Sequence, residues 1–368
     1  MAPVPWPEDE RAGVGLCADC HHARRVESLR GSTFCLCGLS AVDSTFPKYP
    51  RLPVLQCSGH APRHRIVSLL ASGTEIVCAL GGGDELVGRS HECDNPDWVR
   101  NLPCCTGPTF DITASSGEID REVRRRLKAS EPLYDVDVAL VNELHPTLLL
   151  TQTQCAVCAV TPDDVKRTAG DLVAEQVVAL SAGCLTGIYD GIRSVAHALG
   201  RDEAGDRLTG DLQRQIDRTT NQVRDRYQPT VVLLEWTDPL FATGNWGPEL
   251  VVAAGGRPLL GETGRFSASV SWDQVVEADP DYLVVAPCGF SLERALQEIP
   301  TLEALRGWSE MRAVMHGRVA LADGNKYFNR SGTTVADTVR VLGEILHADC
   351  FEPSWQGRAW RAYRPPTA

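Results

Sequence analysis

From Arg65 to His347 the chain alternates strand patterns with helix patterns, and that alternation limits its fold more than any other feature. RIVSLL is a short apolar run of the kind a strand buried on both faces requires, and TEIVCALGGG reads as a helix closed by glycine. LVGRS is a second strand, LHPTLLLTQ introduces a third, VTPDDVKRTAGDLV is a helix and QVVALS a fourth strand. Strands separated by helices in this way predict a parallel sheet covered on both faces.

Residues 186–227 are helical without an intervening strand, and Gly200 and Gly205 mark a break between two helices. In the second, Ala204, Leu208, Leu212, Ile216 and Val223 form a narrow apolar stripe. A helix from Asp202 to Tyr227 spans roughly 40 Å at ~1.5 Å per residue, enough to bridge two lobes along one edge of each. Alternation then resumes with TVVLLEW, WGPELVVAAGG, RPLL, SWDQVVEADPDYLVVAP, a helix near 292–305, RVALAD and a final helix over 333–347. The sequence therefore predicts an α/β chain with two Rossmann-like lobes, 64–185 and 229–350, joined by a helical linker over 186–228. Residues 351–368 read as an irregular tail.

Residues 1–63 are a separate, cysteine-rich module, too small to build a sufficient core and in need of a staple. Cys17 and Cys20 form a C-x2-C knuckle, and Cys37 and Cys57 lie at distances a small zinc ribbon allows, with Cys35 spare. Four thiolates around Zn²⁺ close a structural site and leave no catalytic position; His21, His22 and His60 are alternative ligands. The expectation is one structural zinc held by Cys17, Cys20, Cys37 and Cys57.

A net charge of −12 argues against nucleic acid or an anionic membrane as a general partner. No stretch approaches the ~20 apolar residues of a membrane span. MAPVPWPEDERAGVG has no basic start followed by an apolar run, so the expected compartment is the cytoplasm, with the 14 cysteines reduced, metal-bound or reactive.

Several segments resemble the substrate-binding proteins of ABC transporters that carry a rigid helical linker and bind cobalamin or iron-siderophores. RIVSLLASGTEIVCALGGGDELVGRS resembles their opening strand–turn–helix–strand, and WSEMRAVMHGRVALADGNKYFNRSGTTVADTVRVLGEILH their closing segment. HECDNPDWVRNLP, LTQTQCAVCAV and EWTDPLFATGNWGPELVVAAGG are similar to the cobalamin-binding branch. Members of this family usually act outside the cytoplasm. The resemblance implies that Glu75 and Glu249, one per lobe, dock onto arginines of a membrane permease. Both positions suit a first-turn helix glutamate equally well.

The resemblance also implies a ligand in the cleft between lobes, reached by loops at the carboxyl ends of strands. Aromatic residues in or near those loops suit a large flat ligand: Tyr134, Trp236, Trp246, Phe266, Phe290 and Phe328. Arg330 can bond its amide or carboxylate side groups. His91, Glu92 and Cys93 come from one strand end, and Gln154, Cys155 and Cys158 from another, placing sulfur and imidazole beside the same space. Such groups bind zinc, copper, iron and cobalt corrinoids; buried core cysteines and a thiol redox pair fit the same pattern. The leading reading is a non-enzymatic protein that binds a corrinoid (cobalamin or cobinamide) or another metal chelate. A metalloenzyme or redox protein using the cleft Cys and His residues is the second.

Overall fold

The computed structural model describes residues 6–28, 31–61, 63–154, 159–160, 174 and 176–364. The N-terminal module is a helix, Glu8–Val14, followed by the antiparallel hairpin β1 (Ala23–Glu27) and β2 (Thr33–Cys37). Trp6, Val14, Cys17, Cys20, Ala23 and Cys35 bury one another in a small core. The zinc expectation finds no support here. The thiols facing Cys17 are Cys35, Cys20 and Cys37, and burial with Cys35 beside it pushes the Cys17 thiol up to about 12. Cys35, the residue read as spare, is a core side chain. Among the described residues no group of three or more His, Cys, Asp or Glu side chains is arranged to hold a metal ion. The module is packed together by apolar contact and sits on the first lobe through Glu85, whose carboxylate lies 3.0 Å from His21 Nδ1 and 3.2 Å from Arg201 Nη2.

The first lobe contains β3 (Ile66–Ser68), β4 (Leu86–Arg89), β5 (Thr106–Pro108), β6 (Tyr134–Val136), β7 (Leu148–Gln152) and β8 (Gln176–Leu180). Its sheet runs β4-β3-β7-β8, all parallel, while β5 and β6 form a separate antiparallel ribbon. Side chains alternate across it as the pleat requires: Ile66 and Leu150 enter the core under helix Leu185–Ala198, while Val67 and Leu149 face the ribbon.

The second lobe holds β9 (Thr230–Thr237), β10 (Leu240–Ala242), β11 (Arg257–Leu259), β12 (Ala268–Ser269), β13 (Tyr282–Val285), β14 (Val319–Ala322) and β15 (Trp360–Ala362). The strand order is β12-β10-β9-β13-β14-β15, with β11 parallel to the first half of β9. The tail is not irregular. It returns as β15, antiparallel to β14, and closes that sheet edge.

The linker break falls at Gly200, in the left-handed region at φ +64, between helices Leu185–Ala198 and Asp202–Val223. Gly205 lies inside the second helix instead, where a Cβ would come within 2.5 Å of Ala196 Cβ. Its missing side chain lets the two helices approach. The buried stripe is Gly205, Thr209, Leu212, Ile216, Thr219 and Val223, one face of a 3.6-residue period. The early turns pack on helix Leu185–Ala198; the later ones pack on helices Gly247–Ala253 and Val335–Leu346 of the second lobe.

Candidate functional site

The loops after β4, β9, β13 and β14 meet between the lobes. At the end of β4, His91 is fixed by Thr106 on β5: its backbone N–H and its Nδ1 lie 3.0 and 2.7 Å from Thr106 Oγ1. Thr106 Oγ1 also lies 3.0 Å from Ser90 Oγ, so Nδ1 is engaged in a hydrogen-bonded triad within its own lobe. Burial, reinforced by Arg89, lowers the imidazole pKa to about 4, so the ring is neutral at physiological pH. Its neighbour is Tyr134, with ring centroids 5.4 Å apart.

Across the cleft Trp236, near the end of β9, lies 5.2 Å from Phe290, and Arg294 covers the Phe290 ring at 4.3 Å. Phe290 is buried with Ile119, Val123 and Leu133 of the first lobe, and Phe110, Tyr134 and Trp236 pack around them. One apolar and aromatic cluster thus draws side chains from both lobes.

Beside it lies a polar floor. Arg330 Nη1 donates to Glu75 Oε1 at 2.6 Å, and its Nη2 donates to Asp94 Oδ1 at 2.7 Å and Asn325 Oδ1 at 3.1 Å. Asn95 adds a bond to Glu75, and Asn325 one to Asp94, both at 3.1 Å. Glu92 is half-buried next to this set; burial pushes its carboxyl up to about 7, Asp94 adding to the rise and Arg330 opposing it.

Of the residues expected at the cleft, the structure gathers His91, Glu92, Tyr134, Trp236, Phe290 and Arg330. It sends others elsewhere. Cys93 is buried, accepts a bond from Thr74 Oγ1 at 3.0 Å, and has its thiol raised to about 11 by burial, which suits a core side chain. Gln154 Oε1 accepts the Ala182 N–H at 3.0 Å, tying two loops of its own lobe. Trp246 and Phe328 belong to the large core, and Phe266 is 70% exposed. Cys155 and Cys158 lie outside the described residues. Glu75 is buried against Arg330, and Glu249 accepts the Leu185 N–H at 2.7 Å, bonding the second lobe to the start of the linker. Sequence reasoning missed Phe110, Thr106 and Asn325. Only their place near strand ends hinted at them.

A family model described as periplasmic binding protein matches residues 66–325. The chain belongs to that family. An uncharacterized ABC transporter substrate-binding lipoprotein, YvrC of Bacillus subtilis (strain 168), is 24% identical over 295 residues, 78% of this chain and 81% of that protein. A periplasmic heme binding protein from Pseudomonas aeruginosa superposes with a TM-score of 0.63 at 19% identity, covering 83% of this chain and 99% of that one. The periplasmic vitamin B12 binding protein BtuF of Vibrio cholerae gives 0.56 at 19% identity, covering 78% and 98%. These likenesses show a periplasmic-binding fold of two α/β lobes and a non-enzymatic binding protein. They overturn the expectation of a cytoplasmic protein, because the family is periplasmic and the Bacillus relative is a lipoprotein. Compartment follows from the family here, and the composition of residues 1–15 was a poor guide to it. Among the described residues no helix is long and apolar enough to cross a membrane.

Proposed function

We propose that this chain is the substrate-binding component of an ABC importer, acting outside the cytoplasm, and that its cleft takes a corrinoid such as cobalamin or cobinamide. The observation that carries the reading is the pairing of a two-lobe aromatic cluster with a neutral His91 whose Nδ1 is already tied to Thr106, which leaves Nε2 as the nitrogen that would meet a metal. Aromatic faces offer broad contact to a flat macrocycle at small entropy cost, and an imidazole whose other nitrogen is already bonded is a pre-oriented metal ligand. The vitamin B12 and heme binding proteins of the same fold support a metal tetrapyrrole as the ligand class. Carboxylates at Glu92 and Asp94 suit the amide N–H groups that edge a corrin. A partner permease follows from the same reading; of the two glutamates only the half-buried Glu249 could meet it, because Glu75 is buried against Arg330.

Titrating the purified chain with dicyanocobinamide, hydroxocobalamin and, in parallel, hemin tests this by visible absorption. We expect one corrinoid per chain, with cobalt bands that shift in the wild type and not in His91→Ala. Trp236→Ala should weaken binding by about 1.5–3 kcal/mol through lost apolar contact. Saturable binding of hemin alone would move the assignment to heme, and no binding of any of the three at high micromolar concentration would remove it.

A further inference from the structure

The lobes are tied together at both ends of the aromatic cluster. At one end, Glu298 Oε2 of the second lobe accepts hydrogen bonds from Ser116 of the first lobe and from Thr237, each at 2.6 Å, while Arg294 joins Glu298 to the Ala114 carbonyl. At the other end, Arg330 is 5% exposed and spends both terminal nitrogens on residues that include Glu75 and Asp94 of the opposite lobe. Just beyond it the chain is pressed onto the first lobe: a Cβ at Gly332 would lie 3.2 Å from Ser72 Cβ. Glu75 is 3% exposed, and its second oxygen, Oε2, is buried without a hydrogen-bond partner among the described residues. Three of the five N–H donors of this buried guanidinium are spent inside the protein, and its charge is balanced there by Glu75 and Asp94.

We propose that Arg330 is a clasp between the lobes rather than a ligand contact. It holds the ligand-free cleft shut by bridging Glu75 and Asp94, and it must let go of the first lobe before a ligand can enter. The proposal rests on the cleft being the ligand site. The loop bearing the clasp runs from the end of β14 through Asn325, which bonds the Phe290 carbonyl and Asp94 and so couples the clasp to the aromatic wall. Breaking the clasp therefore frees the loops on either side of the cleft together.

The test is hydrogen–deuterium exchange on the full chain without ligand, comparing wild type with Arg330→Met. We expect peptides over 90–95 and 324–332 to exchange at least about 10-fold faster in the variant, while the helix Val335–Leu346 and the hairpin β1–β2 keep their protection. Should Arg330→Met not fold, Glu75→Gln and Asp94→Asn keep shape and remove one charge each, and both should show the same pattern to a smaller degree. Stopped-flow mixing with dicyanocobinamide gives the second readout. A clasp speeds association and release alike in Arg330→Met, whereas a lost ligand contact speeds release alone. Unchanged exchange in both loops, or faster release with unchanged association, overturns the clasp. Failure of dicyanocobinamide to bind any variant removes the corrinoid reading and leaves the exchange comparison to decide the clasp by itself.

Discussion

At the scale of single residues, the cleft is organised by two groups that burial pushes in opposite directions. Glu92, ordinarily near 4.5, is raised to about 7, and His91, ordinarily near 6.5, is lowered to about 4. For Glu92 the folded carboxyl is harder to ionise than the unfolded one. Its cost is absent below pH 4.5, grows as pH rises, and is complete above about 7. For His91 stability is present above 6.5 and is lost as pH falls toward 4. Glu92→Gln removes only the first effect. Urea unfolding should then show no gain over wild type near pH 4 and a gain of about 1–3 kcal/mol near pH 8. A gain equal at both pH values would mean that packing, not ionisation, explains it. His91, Tyr134, Trp236 and Phe290, expected near strand ends, do lie together where the lobes meet. Trp246 and Phe328 have the same credentials, yet they point into the core. Trp246 is the N-cap of helix Gly247–Ala253, and the direction of a side chain there depends on how the helix sits, which no local pattern encodes.

Among the elements, the linker helix and the alternating strands were legible because their periodicity is long and regular, and the tail was not. Its strand, β15, has three residues and depends on one distant carboxylate. Glu344, 2% exposed in the final helix, accepts from Ser354 N–H at 3.0 Å and its hydroxyl at 2.7 Å, and from Trp355 N–H at 3.0 Å. A sequence reading of helix Val335–Leu346 sees an ordinary charged residue at that position. Its buried role appears only when the tail folds back. Glu344→Ala should strand those donors and cost about 2–4 kcal/mol, and it should expose Trp355 and Trp360 to limited proteolysis after residue 350. A variant whose tail stays protease-resistant would show that β14–β15 pairing alone holds it. The N-terminal module was harder to read for a related reason: cysteine spacing suggests a metal knuckle, but spacing does not say that Cys35 turns inward on β2.

For the whole molecule, the arrangement of the linker sets how far the lobes can move. Helix Asp202–Val223 is packed along its length, first against the helix that ends the first lobe and then against two helices of the second. Leu212, Ile216 and Val223 are nearly fully buried along that seam. A large hinge motion would have to bend a 22-residue helix and break its i→i−4 bonds, or pull those side chains into water. Large domain closures need a few loop residues that absorb the change in backbone angle, and here the crossing is helical on both sides of Gly200. Opening is therefore expected in the loops at the cleft, around Arg330 and Asn325, with the lobes themselves moving little. Small-angle X-ray scattering of the free chain and of the chain saturated with dicyanocobinamide should give superimposable profiles. Arg330→Met should leave the profile unchanged as well, although its cleft loops exchange faster. A clear drop in the radius of gyration on ligand addition would mean that the helix yields, and the buried seam from Leu212 to Val223 would then be the place to look for the bend.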